Sequence, residues 1–436
     1  MPTPIICIDP LVRQFAERFR SCLSKPQFQH FETVLLGLLL TEERRTLAAV
    51  VRQVVGGSSL SGLSRFLSVA PWSAGAISQQ WLADFRRVMT EQVQAEHARQ
   101  RKQRGRRRGR PKKTVVTGYL IGDDTTTAKM RGEKMGGIGR HYSSTEGRTV
   151  TGHSLVLGVY TLLGGRCPLA PQMYRQSDVA RAEGVPFVSK IDLMVSTIRI
   201  FQPVAATLTH VLLDSWYTCK ATWKAAHDRG FLITSGLKRN RFMRLEDPNA
   251  EGGWRWVSVA DYAASLPPDA WQRVRWPRQY GDGERWMWVH TTQTRIRKLY
   301  RCQLILVRPR SDSPDRQIRF WASSDLDANT HALLGHIAAR WDIEVVFEDV
   351  KELLGLDHYQ VMTHQAILRF WTLVLAIYRL LDEHRLRLQS DQDTHVTIGQ
   401  ARRDLQRSHQ LNFLSWCSDQ FASGASVARI AQLLAA

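Results

Sequence analysis

Four acidic residues mark where this chain could do chemistry. Asp123 and Asp124 fall near the end of a β-branched run, TVVTGYLIGDDTTT, that starts at Thr114. Asp214 closes a second such run, Thr207–Leu213, and Glu344 lies within RWDIEVVFEDVK, Arg340 to Lys351. Carboxylates at strand ends and on a helix face suit phosphodiester chemistry. That chemistry needs an oxygen nucleophile in line with the phosphorus and a stabilised leaving oxygen opposite, and two Mg²⁺ ions do both. Such ions take carboxylate oxygens together with water and phosphate. Roughly three carboxylates must therefore converge on one rigid sheet edge. Taken singly, an aspartate ending a strand more often makes an Asx-turn. The order and element types of the set carry the weight.

The positioning elements follow from periodicity. Leu334, Ile337, Ala338, Trp341 and Val345, then Val346, Val350 and Leu354, predict one amphipathic helix opened by Asn329. Arg340, Glu344 and Lys351 stand at i, i+4 and i+11 and share a face. An exposed stripe of ion pairs is the ordinary alternative for such a face. Upstream, Thr114–Thr127 reads as a strand, Arg140–Ser143 and Gly147–Thr151 as a turn region, and His153–Leu163 as a buried strand, with CPLAPQMY opening another. Ile191–Phe201 reads as a helix, Thr207–Leu213 as a strand, Ala221–Asp228 as a helix and Phe231–Ser235 as a strand. This is an α/β layer with a mixed sheet. Neighbouring strand residues face opposite ways, so only one of Asp123 and Asp124 should serve.

Residues 1–98 read as a helical N-terminal DNA-binding domain. Within it Ser58–Leu67, a break at Pro71 and Ala76–Met89 could form a helix–turn–helix with Ser58 as N-cap, and a plain bundle is the alternative. Residues 99–113, RQRKQRGRRRGRPKK, form a basic linker. Arg106, Arg108, Arg110, Lys112 and Lys113 are its candidate phosphate contacts, and Arg108–Pro111 matches the R-G-R-P core of an AT-hook. The catalytic core divides into 114–239 and 318–361 around a β-rich insertion at 240–317, and 362–436 is helical.

Composition narrows the partner. The chain has 436 residues, with 60 Lys and Arg against 40 Asp and Glu, a net charge of +20. That excess points to nucleic acid. No basic amphipathic anchor is evident, and the apolar runs Val34–Leu40 and Thr372–Leu381 are too short to span a bilayer. Six scattered cysteines without a C-x-x-C pair suit a reduced, cytoplasmic setting, and the N-terminus lacks a secretory pattern.

The spacing R-x3-E-x6-K at Arg340, Glu344 and Lys351 resembles the Y-R-E-K signature of DDE-class insertion-sequence transposases. Asp123-Asp124-Thr125, followed by Lys134, Gly136 and Tyr142-Ser143, is similar to the first-aspartate block of that group, and LLDSWY around Asp214 to the second. The resemblance runs from about Thr114 to Leu356. It implies a ribonuclease H-like core with a β-strand insertion, and two Mg²⁺ (or Mn²⁺) ions held by Asp124, Asp214 and Glu344. Asp123 is the rival of Asp124, which the following threonines favour; Glu348 is the rival of Glu344. Arg340 and Lys351 would contact phosphates. Ile337 stands where the signature has tyrosine, leaving His336 and Tyr359 as substitutes. Trp254, Trp256, Trp286 and Trp288 are either insertion core or platforms for a flipped base.

The function so implied is a transposase acting on double-stranded DNA. It would bind terminal inverted repeats, cut the ends by metal-dependent hydrolysis and join 3′-hydroxyls to target DNA. A homodimer would synapse two ends, at the nucleoid in a bacterial cytoplasm and with no membrane involvement. The alternatives are a stand-alone metal-dependent DNA nuclease and a non-catalytic, domesticated DNA-binding protein.

Overall fold

The computed structural model describes residues 4–6, 8–104, 115–143, 146–277 and 284–435. A single mixed sheet runs through its middle. β1 (Thr117–Ala128) is an interior strand, antiparallel to the long β3 (Arg148–Leu162) and parallel to β6 (Leu208–Leu213). β2 (Gly139–Ser143), β4 (Gly165–Pro168) and β5 (Gln172–Tyr174) all pair along the outer edge of β3. On the other side β6 runs parallel to β7 (Leu232–Leu237). The crossovers are the helices Lys190–Ile200 and Lys220–Asp228. This is the mixed α/β core expected of a ribonuclease H-like fold.

The insertion is β-rich, as expected, but it extends this sheet instead of forming a separate one. β8 (Phe242–Glu246) and β9 (Trp254–Ser258) make a two-stranded hairpin. β10 (Gln272–Arg275), β11 (Trp286–Arg295), β12 (Arg301–Arg308) and β13 (Arg319–Ser323) continue the core sheet, with β13 docked on β7. Placed this way, β12 and β13 are interior strands, and β12 is buried on both faces; Leu304, Ile305 and Leu306 are all fully buried.

Two sequence expectations are corrected. The helix from Asn329 does not run unbroken to Leu354. Asn329 caps Thr330–Ala339, its side chain accepting from the Ala332 N–H at 2.9 Å, but the chain turns at Arg340-Trp341 before Asp342–Glu348. It then loosens into a π-turn at Asp349–Leu353. Apolar periodicity alone does not register such breaks, because the buried residues Ile337, Ile343, Val346 and Val350 keep facing the core across them. The second correction concerns the linker. The helix Ala74–Arg104 continues through the first six residues of the basic block, Arg99–Arg104. Residues 105–113, with Arg106, Arg108, Arg110, Lys112 and Lys113, lie outside the described residues.

The N-terminal helices share the core with the catalytic layer. Ser59, not Ser58, caps the helix Leu60–Ser68. Ile77, Trp81, Phe85, Met89 and Val93 bury one stripe of the next helix, and the Trp81 indole N–H reaches the Pro168 carbonyl at 2.8 Å. From the C-terminal side the helix His364–Gln392 sends Arg369 into the carbonyls of Leu67, Ala70 and Trp72. Those bonds replace water at a buried helix end. Among the described residues no helix is long and apolar enough to cross a membrane.

Candidate active site

β1 carries two carboxylates in succession, and the pleat sends them to opposite faces. The odd-numbered face looks toward Thr330–Ala339 and its continuation. There the Tyr119 hydroxyl meets His336 Nδ1 at 3.2 Å, and Asp123 Oδ2 lies 3.4 Å from Arg340 Nη1. The even-numbered face looks toward the helix Lys190–Ile200. A Cβ on Gly122 would meet Met194 of that helix at 2.4 Å, so the glycine sets how close it packs.

Asp124 points that way and is fully engaged. Lys190 Nζ meets its Oδ2 at 2.5 Å, the Tyr217 hydroxyl donates to Oδ1 at 2.8 Å, and the Ser154 hydroxyl to Oδ2 at 3.4 Å. Asp123 thus shares a face with Glu344 and Arg340, while Asp124 turns toward the helix Lys190–Ile200.

Asp214 follows the last residue of β6. Its Oδ1 accepts the backbone N–H groups of Trp216 at 2.9 Å and Tyr217 at 3.1 Å, an Asx-turn that holds the carboxylate at the sheet edge. Glu344 comes from the short helix after the break, with Oε1 3.3 Å from Arg340 Nη1. Arg340 thus bridges Asp123 and Glu344. Burial pushes the Asp123 carboxyl well above the usual carboxylate range; Asp214 and Glu344 add to the rise and Arg340 opposes it. Burial also raises Asp214, with Asp124 adding to the rise and the two backbone N–H groups and Arg340 opposing it. One guanidinium among three carboxylates leaves an excess of negative charge on oxygen donors. That donor set fits a hard divalent cation.

The other predicted contacts fall out unevenly. Glu348 is exposed one turn beyond Glu344. Lys351 is half-buried and donates to the Thr126 carbonyl at 3.1 Å, with burial lowering its pKa. Lys351 lies in the π-turn Asp349–Leu353, within electrostatic reach of Glu344. Tyr359 is buried, its hydroxyl held by Thr127 at 2.8 Å and His153 Nδ1 at 2.7 Å, and His336 is buried as well. Neither substitutes outwardly for the tyrosine missing at Ile337. Trp286 is exposed, with the Arg273 guanidinium 4.8 Å from its ring centroid. It starts β11, four strands from β6, roughly 19 Å at ordinary strand spacing. Trp288 is half-buried against the core, and Trp254 and Trp256 pack edge to face at 5.4 Å on the hairpin.

Sequence reasoning passed over two tryptophans nearer the carboxylates. Trp216 is 58% exposed and Trp341 52% exposed. Trp216 forms one wall of a cleft of about 600 Å³ with Phe242, Lys238, Arg241, Arg297 and Lys298. Lys238 Nζ lies 5.2 Å from the Trp216 ring centroid. The signal was present: a residue two past an Asx-turn aspartate at a strand end must sit at the surface.

A family model described as "DDE superfamily endonuclease" matches residues 18–283, more than half of the chain. The matched stretch includes Asp123, Asp124 and Asp214 and ends before Glu344. Among solved structures, the chain is similar to one titled "Cryo-EM structure of piggyBac transposase synaptic complex with hairpin DNA (SNHP)", at a TM-score of 0.40 and 11% identity. The likeness covers 73% of this chain and 56% of that one, so this chain spans little more than half its length. No curated protein matches the chain.

Proposed function

The chain belongs to the DDE superfamily of endonucleases, and from that premise we propose that it is a DNA transposase whose metal-binding carboxylates are Asp123, Asp214 and Glu344. The observation that carries this reading is the grouping of those three side chains about Arg340, which lies against Asp123 and Glu344 and acts electrostatically on Asp214; they come from β1, its parallel neighbour β6 and a helix. Two Mg²⁺ or Mn²⁺ ions held there would activate the attacking oxygen and stabilise the leaving one. Arg340, already between Asp123 and Glu344, is placed to meet a non-bridging phosphate oxygen once its carboxylate partners turn to a metal. Asp124 is a positioning residue: its bonds to Lys190 and Tyr217 fix β1 against the flanking helix and the Asp214 turn.

The cleft beside Asp214 suits a DNA strand. Its four cations supply phosphate contacts, and Trp216 and Phe242 supply faces on which bases stack. Recognition of terminal repeats, joining of 3′-hydroxyls to target DNA and pairing of two copies belong to the same reading. The net charge of +20 supports the DNA partner.

The test is a cleavage and strand-transfer assay on duplexes carrying the ends of the element that encodes the chain, with Mg²⁺. Transposase activity yields both nicked ends and joined products. Cleavage without joining would instead indicate a stand-alone nuclease, and binding without cleavage a non-catalytic DNA-binding protein.

A further inference from the structure

Two buried histidines lie deeper on the same sheet face and take no part in the chemistry above. His210 is on β6, four residues before Asp214, and His336 is on Thr330–Ala339, one turn before Arg340. Their ring centroids are 4.0 Å apart. Each ring has one nitrogen engaged. His210 Nε2 lies 2.8 Å from the Thr234 hydroxyl, and His336 Nδ1 3.2 Å from the Tyr119 hydroxyl. The other two, His210 Nδ1 and His336 Nε2, are buried without a hydrogen-bond partner. Asp325, between β13 and the helix, brings Oδ2 to 3.8 Å from His336 Nε2. One donor atom from each of the three residues lies within 4.8 Å of the others.

One ring nitrogen at this spot is left without a proton. Thr234 gives its hydroxyl proton to Ser323 at 2.8 Å, so it must accept from His210 Nε2–H. A neutral imidazole carries one N–H, so His210 Nδ1 is then a bare lone pair. Burial lowers the pKa of both histidines and favours their neutral forms. The His210 Nδ1 lone pair and the Asp325 carboxylate oxygen, both close to His336 Nε2, are buried acceptors that a cation would satisfy. Hydroxyl partners on the far ring nitrogens are what a metal-bound histidine uses to fix its orientation.

We propose that His210, His336 and Asp325 bind one Zn²⁺-class transition-metal ion, separate from the Mg²⁺ carboxylates. Imidazole nitrogen selects such an ion over Mg²⁺ or Ca²⁺, which take oxygen. Three protein ligands leave a fourth position for water. Asp325, the least buried of the three with its side chain 22% exposed, is the ligand free to close onto the ion. The ion would clamp β6, which ends at Asp214, to the helix that leads into Arg340 and Glu344, and so hold two arms of the active site in register.

The full chain is stripped with a chelator, reloaded with Zn²⁺, dialysed against a weak competing chelator and assayed for bound metal. Co²⁺ is used in parallel as an absorption probe. The wild-type protein is expected to hold one equivalent. His336→Gln and Asp325→Asn, each checked for fold by circular dichroism, are expected to bind at least tenfold more weakly and to lose the Co²⁺ band; Asp325→Asn is the milder change and keeps the test open if His336→Gln misfolds. The double variant Asp123→Asn, Glu344→Gln is expected to retain the ion. The proposal is overturned if wild type holds Zn²⁺ no better than Asp325→Asn, or if the double variant is the one that loses it.

Discussion

Asp123 and Asp124 are the same residue type, adjacent in sequence, on one strand, and they meet opposite environments. Asp124 faces a lysine, a tyrosine and a serine that together satisfy its charge. Asp123 faces two other carboxylates and a single arginine shared with one of them. The first arrangement is complete and holds elements together. The second is short of positive charge and stays so until a cation arrives. Such unfinished electrostatics mark a functional site more reliably than the presence of acidic residues does.

Four substitutions would break or sharpen that contrast, in falling order of effect. Asp214→Asn or Glu344→Gln should cut Mg²⁺-dependent cleavage by about 10³-fold or more while DNA binding in a mobility-shift assay survives, because each removes a metal-holding oxygen. Asp124→Ala should act on stability instead. It strands Lys190 in a largely buried setting and should cost about 3 kcal/mol in denaturant titration, with residual cleavage by the folded fraction. Trp216→Ala should weaken binding of single-stranded or melted ends about tenfold and leave duplex binding nearly unchanged. A matching loss on both substrates would count against base stacking.

The smallest effect concerns pH. The Asp123 carboxyl is raised, so the stability it contributes is complete below the unfolded carboxylate value and is lost as pH rises through the folded one. Asn cannot ionise and escapes that loss. In metal-free protein Asp123→Asn should therefore raise the melting temperature, by about 1 kcal/mol of stability, with the gain growing as pH rises above the ordinary carboxylate range. Added Mg²⁺ should erase the advantage.

Much of this site can be read from the chain alone. A strand run that carries Asp123-Asp124, another that leads into Asp214, and the spacing of Arg340 and Glu344 name the three elements involved, although β1 continues past its aspartates to Ala128. Alternation along β1 says that one aspartate serves but not which, because the choice depends on which helix covers which face. The fate of Lys351 was equally hidden, since the break at Arg340-Trp341 and the π-turn at Asp349–Leu353 leave no trace in the apolar pattern. His210 in TLTHVLL looks like an ordinary core histidine until His336 and Asp325 are seen beside it.

One pairwise measurement tests the assignment of Asp123 most directly: Mg²⁺-dependent cleavage of element-end DNA by Asp123→Asn beside Asp124→Asn, each normalised to folded protein. Asp123→Asn should be inactive and Asp124→Asn should retain measurable turnover. An active Asp123→Asn together with an inactive, well-folded Asp124→Asn would contradict it.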